Sequence, residues 1–181
     1  YEQVIDAYLR GLTARAKDGQ PLGAIASVAS FFVSRIDTMI DAQLPENSPL
    51  RGRVAIANAR VAYQSYRAKF AGPEWERLRT QGANAQRPLW ASTGTKNPAY
   101  SDVLYVSELI GPNVINTMPE QTLRAFADHG EVKRTLDADP TAAQATLAYA
   151  QRAGIDLGAV TGELEREGVK AFRDSYQQLL N

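Results

Sequence analysis

The stretch Arg87-Pro-Leu-Trp-Ala-Ser-Thr-Gly-Thr-Lys-Asn-Pro-Ala99 decides how the rest of the chain is read. Leu89, Trp90 and Ala91 form a short apolar run, and a polar turn carrying Gly94 and Lys96 follows at once. Ser101-Asp102 then opens a helix-like segment. Strand, polar loop and helix in this order are how α/β folds place working groups at the carboxyl ends of their strands. A similar unit precedes it at 25–35, and another follows at 114–120.

Working upstream, Ala24–Val33 is nearly continuous in apolar and small residues, as a parallel strand covered on both faces would be. Before it, Ile5, Tyr8, Leu9, Leu12 and Ala16 recur at helical spacing up to a stop at Lys17-Asp18-Gly19. The chain opens inside that helical pattern without an initiator methionine, so a piece of a longer polypeptide is expected. Between the first two units, Ile36, Met39, Ile40 and Leu44 predict a short helix. Ile56, Ala59, Tyr63, Tyr66 and Phe70 predict one buried face of a long helix over 50–71. Glu74–Gln81 predicts a further short helix.

Downstream, strands are predicted at Pro88–Ser92 and Val114–Thr117, with a helix over 101–110 between them. Thr117-x-x-Glu120 matches a capping box for a helix over 119–127, followed by a polar loop over 128–139. Asp139-Pro140 caps a helix that stops at Gly154. The last helix carries Val169, Phe172, Tyr176 and Leu179 on one face. Three strand-plus-helix units with parallel strands fall short of a (β/α)8 barrel, which needs eight strands and about 250 residues. They read as its second half.

Composition bounds the function. The 181 residues suit one domain, and 44% hydrophobic residues can fill its core. Net charge is zero, which gives no electrostatic case for nucleic acid or membrane as partner. Without cysteine there is no disulfide, thiolate metal site or cysteine nucleophile, and a reducing, cytoplasmic setting fits. One histidine, His129, flanked by Asp128 and Glu131, cannot make a two-imidazole metal site and reads as a surface residue.

Among the five lysines, only Lys96 follows a strand. A nucleophile or an anion contact are both open to it, besides a solvated loop lysine. Arg35, just past an apolar strand, suits a phosphate or carboxylate, with a salt bridge to Asp37 or Asp41 as the bland alternative. Ser92, Thr93, Thr95 and the amides around Gly94 would join Lys96 on the same anion. Ser30 is read either as a ligand contact or as bonded to its own backbone, and Phe32 as core or as facing a ligand.

The strings Ser27-Val-Ala-Ser-Phe-Phe-Val-Ser-Arg-Ile-Asp37, Ala57-Asn-Ala-Arg60, Arg87-Pro-Leu-Trp-Ala-Ser-Thr-Gly-Thr-Lys-Asn-Pro98, Leu104-Tyr-Val106 and Asn116-Thr-Met-Pro-Glu120 resemble the transaldolase family, in the form found in actinobacteria and other bacteria. The resemblance implies an α/β fold: the carboxyl-terminal part, strands six to eight, of a (β/α)8 TIM barrel with additional terminal helices. It implies transfer of a dihydroxyacetone unit from sedoheptulose 7-phosphate or fructose 6-phosphate to an aldose phosphate, in the pentose phosphate pathway, without a cofactor. Ser30 then matches the serine lining the dihydroxyacetone site, and Phe32 the aromatic beside it. Arg35 matches the phosphate-binding arginine, and Ser92 a phosphate-site serine. Lys96 falls about where relatives place a second phosphate arginine, in a loop that here has extra residues. The Schiff-base lysine string of the family, and its acid, base and threonine strings, are absent from 1–181. The expectation is therefore a partial barrel with no catalytic residue of its own and no metal, partnered by sugar phosphates and by the missing amino-terminal half. A non-catalytic half-barrel module, or part of a fusion with glucose-6-phosphate isomerase, is the alternative.

Overall fold

The computed structural model describes residues 1–180; Asn181, the last residue of the expected domain, lies outside them. The elements are α1 (Glu2–Lys17), β1 (Val28–Phe32), α2 (Ser34–Asp41), α3 (Val54–Lys69), α4 (Pro73–Thr80), β2 (Arg87–Ala91), α5 (Leu104–Glu108), β3 (Ile115–Asn116), α6 (Glu120–His129), α7 (Pro140–Arg152) and α8 (Leu157–Leu180). The three strands are parallel in the order β1-β2-β3, as the alternation of strands and helices predicts.

Apolar spacing accounts for the helical layer. Ile56, Ala59, Tyr63 and Tyr66 of α3 are buried, and Phe70 packs against the same core. An aromatic ladder continues the face, with ring centroids 5.7 Å apart at Tyr63–Tyr66, 5.1 Å at Tyr66–Phe70 and 4.8 Å at Phe70–Trp75. Ile5, Leu9 and Leu12 of α1 join the core. α1 stops as predicted: Gly19, at φ 66, takes the left-handed conformation that a side chain disfavours.

The strands are shorter than their apolar runs. Residues 24–27 do not extend β1, because β2 begins at Arg87, whose N–H donates to the Ser27 carbonyl. The carbonyls of Gly23 and Ile25 instead accept from Asn84 Nδ2, at 2.9 and 3.0 Å. Pro88 sits in the central strand without costing a ladder bond. The Trp90 carbonyl accepts from Thr117 N–H on the β3 side, so Pro88 faces that side too, upstream of the first β2–β3 pair at Leu89 and Ile115.

Two readings need correction. Thr117 does not form a capping box: α6 has no side-chain cap, and the Thr117 hydroxyl donates to the Trp90 carbonyl at 3.2 Å. Glu120 pairs with Arg124 one turn on. The hydroxyl closes the β2–β3 junction in place of the helix end. β1 is also covered on one face only. Ala29 is buried and Phe31 packs against the core, whereas Val28, Ser30 and Phe32 are exposed. The cap at α7 is as predicted, with Asp139 accepting from the amides of Thr141 and Ala142 at 3.1 and 3.0 Å. On α8, Val169, Phe172, Tyr176 and Leu179 do share one face, and that face is exposed.

Candidate substrate site at the strand ends

Strand alternation sends Ser30 and Phe32 to the open face of the sheet and Phe31 to the helical face. Phe31 meets Trp90 edge to face at 5.8 Å. The next residue, Val33, is fully buried, and its N–H donates to the Ala91 carbonyl at 2.9 Å. Ser34 N–H donates to the Ser92 carbonyl at 3.0 Å. These two bonds zip the carboxyl end of β1 to that of β2 and place Arg35 in the exposed first turn of α2.

Arg35 does not pair with either candidate aspartate. Asp37 is 1% exposed and accepts from Ala55 N–H at 2.8 Å and from the Tyr105 hydroxyl at 3.0 Å. Asp41 accepts from Tyr100 Oη at 2.6 Å and from Gly52 N–H at 3.2 Å. The Arg35 guanidinium lies over the Phe32 ring, 4.8 Å from its centroid, and makes no ion pair among the described residues. Phe32, at 48% exposure, is not a core residue. Ser30, Phe32 and Arg35 share a cleft of about 550 Å³ along β1, walled on one side by α8.

Ser92 and Lys96 line a different cavity, of about 250 Å³, together with Asp102 and Ser34. Ser92 is held at φ 56, a left-handed conformation that costs a serine roughly 1 kcal/mol or more and that recurs at binding sites. Gly94 permits the loop to lean on α6, since a Cβ there would meet Pro119 at 3.0 Å. The two threonine hydroxyls are otherwise engaged. Thr93 is buried and donates to Asn116 Oδ1 at 2.7 Å, and Thr95 donates to the Ser101 carbonyl at 2.9 Å. Lys96 is exposed and lacks the apolar enclosure that a Schiff-base lysine needs. A second cavity of about 250 Å³ also includes Lys96, with Asp41, Arg51 and Tyr100.

The five predicted residues divide between two clefts: Ser30, Phe32 and Arg35 line one, and Ser92 and Lys96 line the other. Ser34 joins them unpredicted. It is 2% exposed, its Oγ has no hydrogen-bond partner, and it lines both cavities that hold Lys96. Its place beside Arg35 in Phe32-Val-Ser-Arg35 was the one available signal. Burial dominates the titration of the surrounding network: it pushes Asp37 up to about 6, against the hydrogen bonds from Ala55 and Tyr105, and Tyr100 up to about 12. His129 stands at the exposed rim, with Nε2 2.9 Å from Asp102 and Nδ1 3.2 Å from Asp128. Among the described residues, no group of three or more acidic or imidazole side chains is placed to hold a metal ion. No described helix is long and apolar enough to cross a membrane.

Parallel strands with helical crossovers and polar loops at their carboxyl ends define an α/β protein, the class that commonly places ligands at the strand tips. The chain belongs to the transaldolase/fructose-6-phosphate aldolase family, which it matches over residues 1–181. It is 50% identical over 187 residues to a transaldolase of Parafrankia sp., covering 100% of this chain and 51% of that protein. It is also 50% identical to a transaldolase of Mycolicibacterium smegmatis, over 98% of this chain and 50% of the relative. Transaldolase 1 of Streptomyces coelicolor is again 50% identical, over 99% and 49%. The chain spans about half the length of the curated relatives it matches.

Proposed function

We propose that this chain forms the phosphate-binding end of a transaldolase site. In this reading the parent polypeptide moves a dihydroxyacetone unit from sedoheptulose 7-phosphate or fructose 6-phosphate to an aldose phosphate, through a lysine Schiff base and without a cofactor. The three strands are strands six to eight of a (β/α)8 barrel. Ser30 and Phe32 face the dihydroxyacetone portion, and Arg35, Ser92 and Lys96 hold the phosphate. The reaction belongs to sugar phosphate metabolism in the cytoplasm.

One observation carries the reading. The carboxyl ends of β1 and β2 are zipped together by the Val33 and Ser34 amides, which sets an Arg35 without a carboxylate partner on one side and the Ser92–Lys96 loop on the other. A phosphate dianion matches a guanidinium fork, an ammonium and a hydroxyl. Binding this non-reacting end positions the sugar carbonyl toward the nucleophile. That lysine lies outside residues 1–181, so the isolated chain does not turn over and needs the other half of the barrel as its partner.

Replacing Arg35 with Ala in the full polypeptide tests the phosphate role. KM for phosphorylated donors rises by tenfold or more, with little change for unphosphorylated dihydroxyacetone; equal effects on both would remove Arg35 from the phosphate site. A second reading, a non-catalytic half-barrel that pairs with another chain or with a fused isomerase, draws on the exposed apolar stripe of α8 and the open face of β1.

A further inference from the structure

A cleft of about 460 Å³ opens between α3, α5 and α7, apart from the residues assigned to the substrate. Arg51, Arg53 and Arg60 face it, against one carboxylate, Glu108. In a chain of zero net charge this is a local excess of positive charge.

The existing partners do not use it up. Arg51 Nη1 donates to the carbonyls of Asp41 and Leu44, at 2.7 and 3.2 Å, and makes no ion pair among the described residues. Arg53 is exposed and has no ion-pair partner among the described residues. Arg60 reaches Glu108 through Nη2 at 2.6 Å, while its Nε is buried without an acceptor. Two other carboxylates stand by the cleft: Asp41, which accepts from Gly52 N–H and Tyr100 Oη, and Asp139, which is committed to the cap of α7 and held by its amide bonds below the usual carboxylate range. The amino end of α3 is not the anion donor, because Asp37 already accepts from Ala55 N–H. The guanidinium groups are what the cleft offers.

The planar guanidinium fork is matched best by a phosphate or carboxylate. The rest of the lining includes Ile56, Leu104 and the side of Tyr100, an apolar surface that a bare inorganic anion would leave unfilled. We propose that this cleft is a separate binding site for a small organic phosphate monoester, its dianion gripped by Arg53 and Arg60 and its carbon skeleton resting on Ile56 and Leu104. The site has a structural link to the strand ends. Arg51 and Tyr100 form a wall common to this cleft and to a cavity that includes Lys96. The inference does not depend on transaldolase chemistry.

The test is calorimetric titration of the full polypeptide with phenyl phosphate at low ionic strength. Arg53→Gln, at an exposed position, and Ala142→Glu, which puts a carboxylate into the exposed lining of the cleft, each weaken one binding event tenfold or more. Arg35→Ala leaves that event in place. A readout without any substitution is the backbone amide resonance of Gly52, which lies in the cleft and shifts on saturation. The proposal is overturned if Gly52 does not respond, or if both cleft variants bind as the wild type does. It is also overturned if Arg35→Ala removes all binding, an outcome that would leave the transaldolase reading standing.

Discussion

The two faces of the β1–β2 layer are built from alternate residues of the same strands and have opposite fates. On the helical face, Ala29, Pro88 and Trp90 are buried, and Phe31 is locked edge to face against Tyr1 and Trp90, at 5.7 and 5.8 Å. On the other face, Val28 and Phe32 are 44% and 48% exposed, and Ser30 stands between them. The difference shows that apolar character does not set burial; the neighbouring layer does. The helical face holds the fold together, and the open face with the loops above it presents the groups that suit a ligand.

The largest expected effect attacks that division directly. Trp90→Ala empties the core of a fully buried indole and costs about 3–5 kcal/mol in urea unfolding. Phe32→Ala, one register position along the same ladder, costs roughly 0.5 kcal/mol, as exposed substitutions do. Comparable losses at the two sites would abolish the distinction. Trp90→Phe sharpens it, since it keeps an aromatic partner for Phe31 and removes the buried Nε1–H that has no acceptor. It costs less than Trp90→Ala.

The next effect places a charge inside the helical layer. Burial raises Asp37 from its ordinary value of 3.8 to about 6, so the folded state holds its proton more tightly than the unfolded state does. The stability it contributes is therefore fully present below about pH 4 and is lost as pH rises through about 6. Asp37→Asn removes an increment on the order of 2 kcal/mol from the pH dependence of stability in this window. Urea midpoints for wild type and variant at pH 4 and pH 7 measure it; parallel curves would show that Asp37 titrates as an exposed carboxyl does.

The smallest effect lies at the exposed rim. Hydrogen bonds to Asp102 and then Asp128 raise His129 above its ordinary 6.5. Whatever stability the protonated ring adds is present below that value and lost as pH rises through the raised one. Because the ring is solvent-accessible, the readout is its own titration by NMR. Asp102→Asn shifts the midpoint back toward 6.5, and an unmoved midpoint would break the assigned pairing.

Much of this was legible in the chain. Helical spacing marked the α3 face, Asp139-Pro140 marked the α7 cap, and the strand–loop–helix units marked three parallel strands. The candidate residues Ser30, Phe32, Arg35, Ser92 and Lys96 stood out as groups within or just past apolar runs, and the roles proposed for them came from the matching strings. Thr117 was misread because a hydroxyl three residues before a glutamate satisfies a capping box locally, while a neighbouring strand carbonyl competes for its proton. Ser34 was missed because a serine between Val33 and Arg35 carries no periodic signal; only its burial without a hydrogen-bond partner distinguishes it.

By itself the sequence determined the family, the order of elements and the set of polar groups at the strand ends, since local spacing and long matching strings suffice for these. Only the tertiary structure decided which of those groups share a cleft, that Arg35 lies over Phe32 and pairs with neither aspartate, and that Arg51 and Arg53 before α3 and Arg60 within it line one cleft with Glu108 of α5. The physical reason is that hydrogen-bond and ion-pair partners are chosen by distance in space, and Asp37 finds Ala55 and Tyr105 from 18 and 68 residues away.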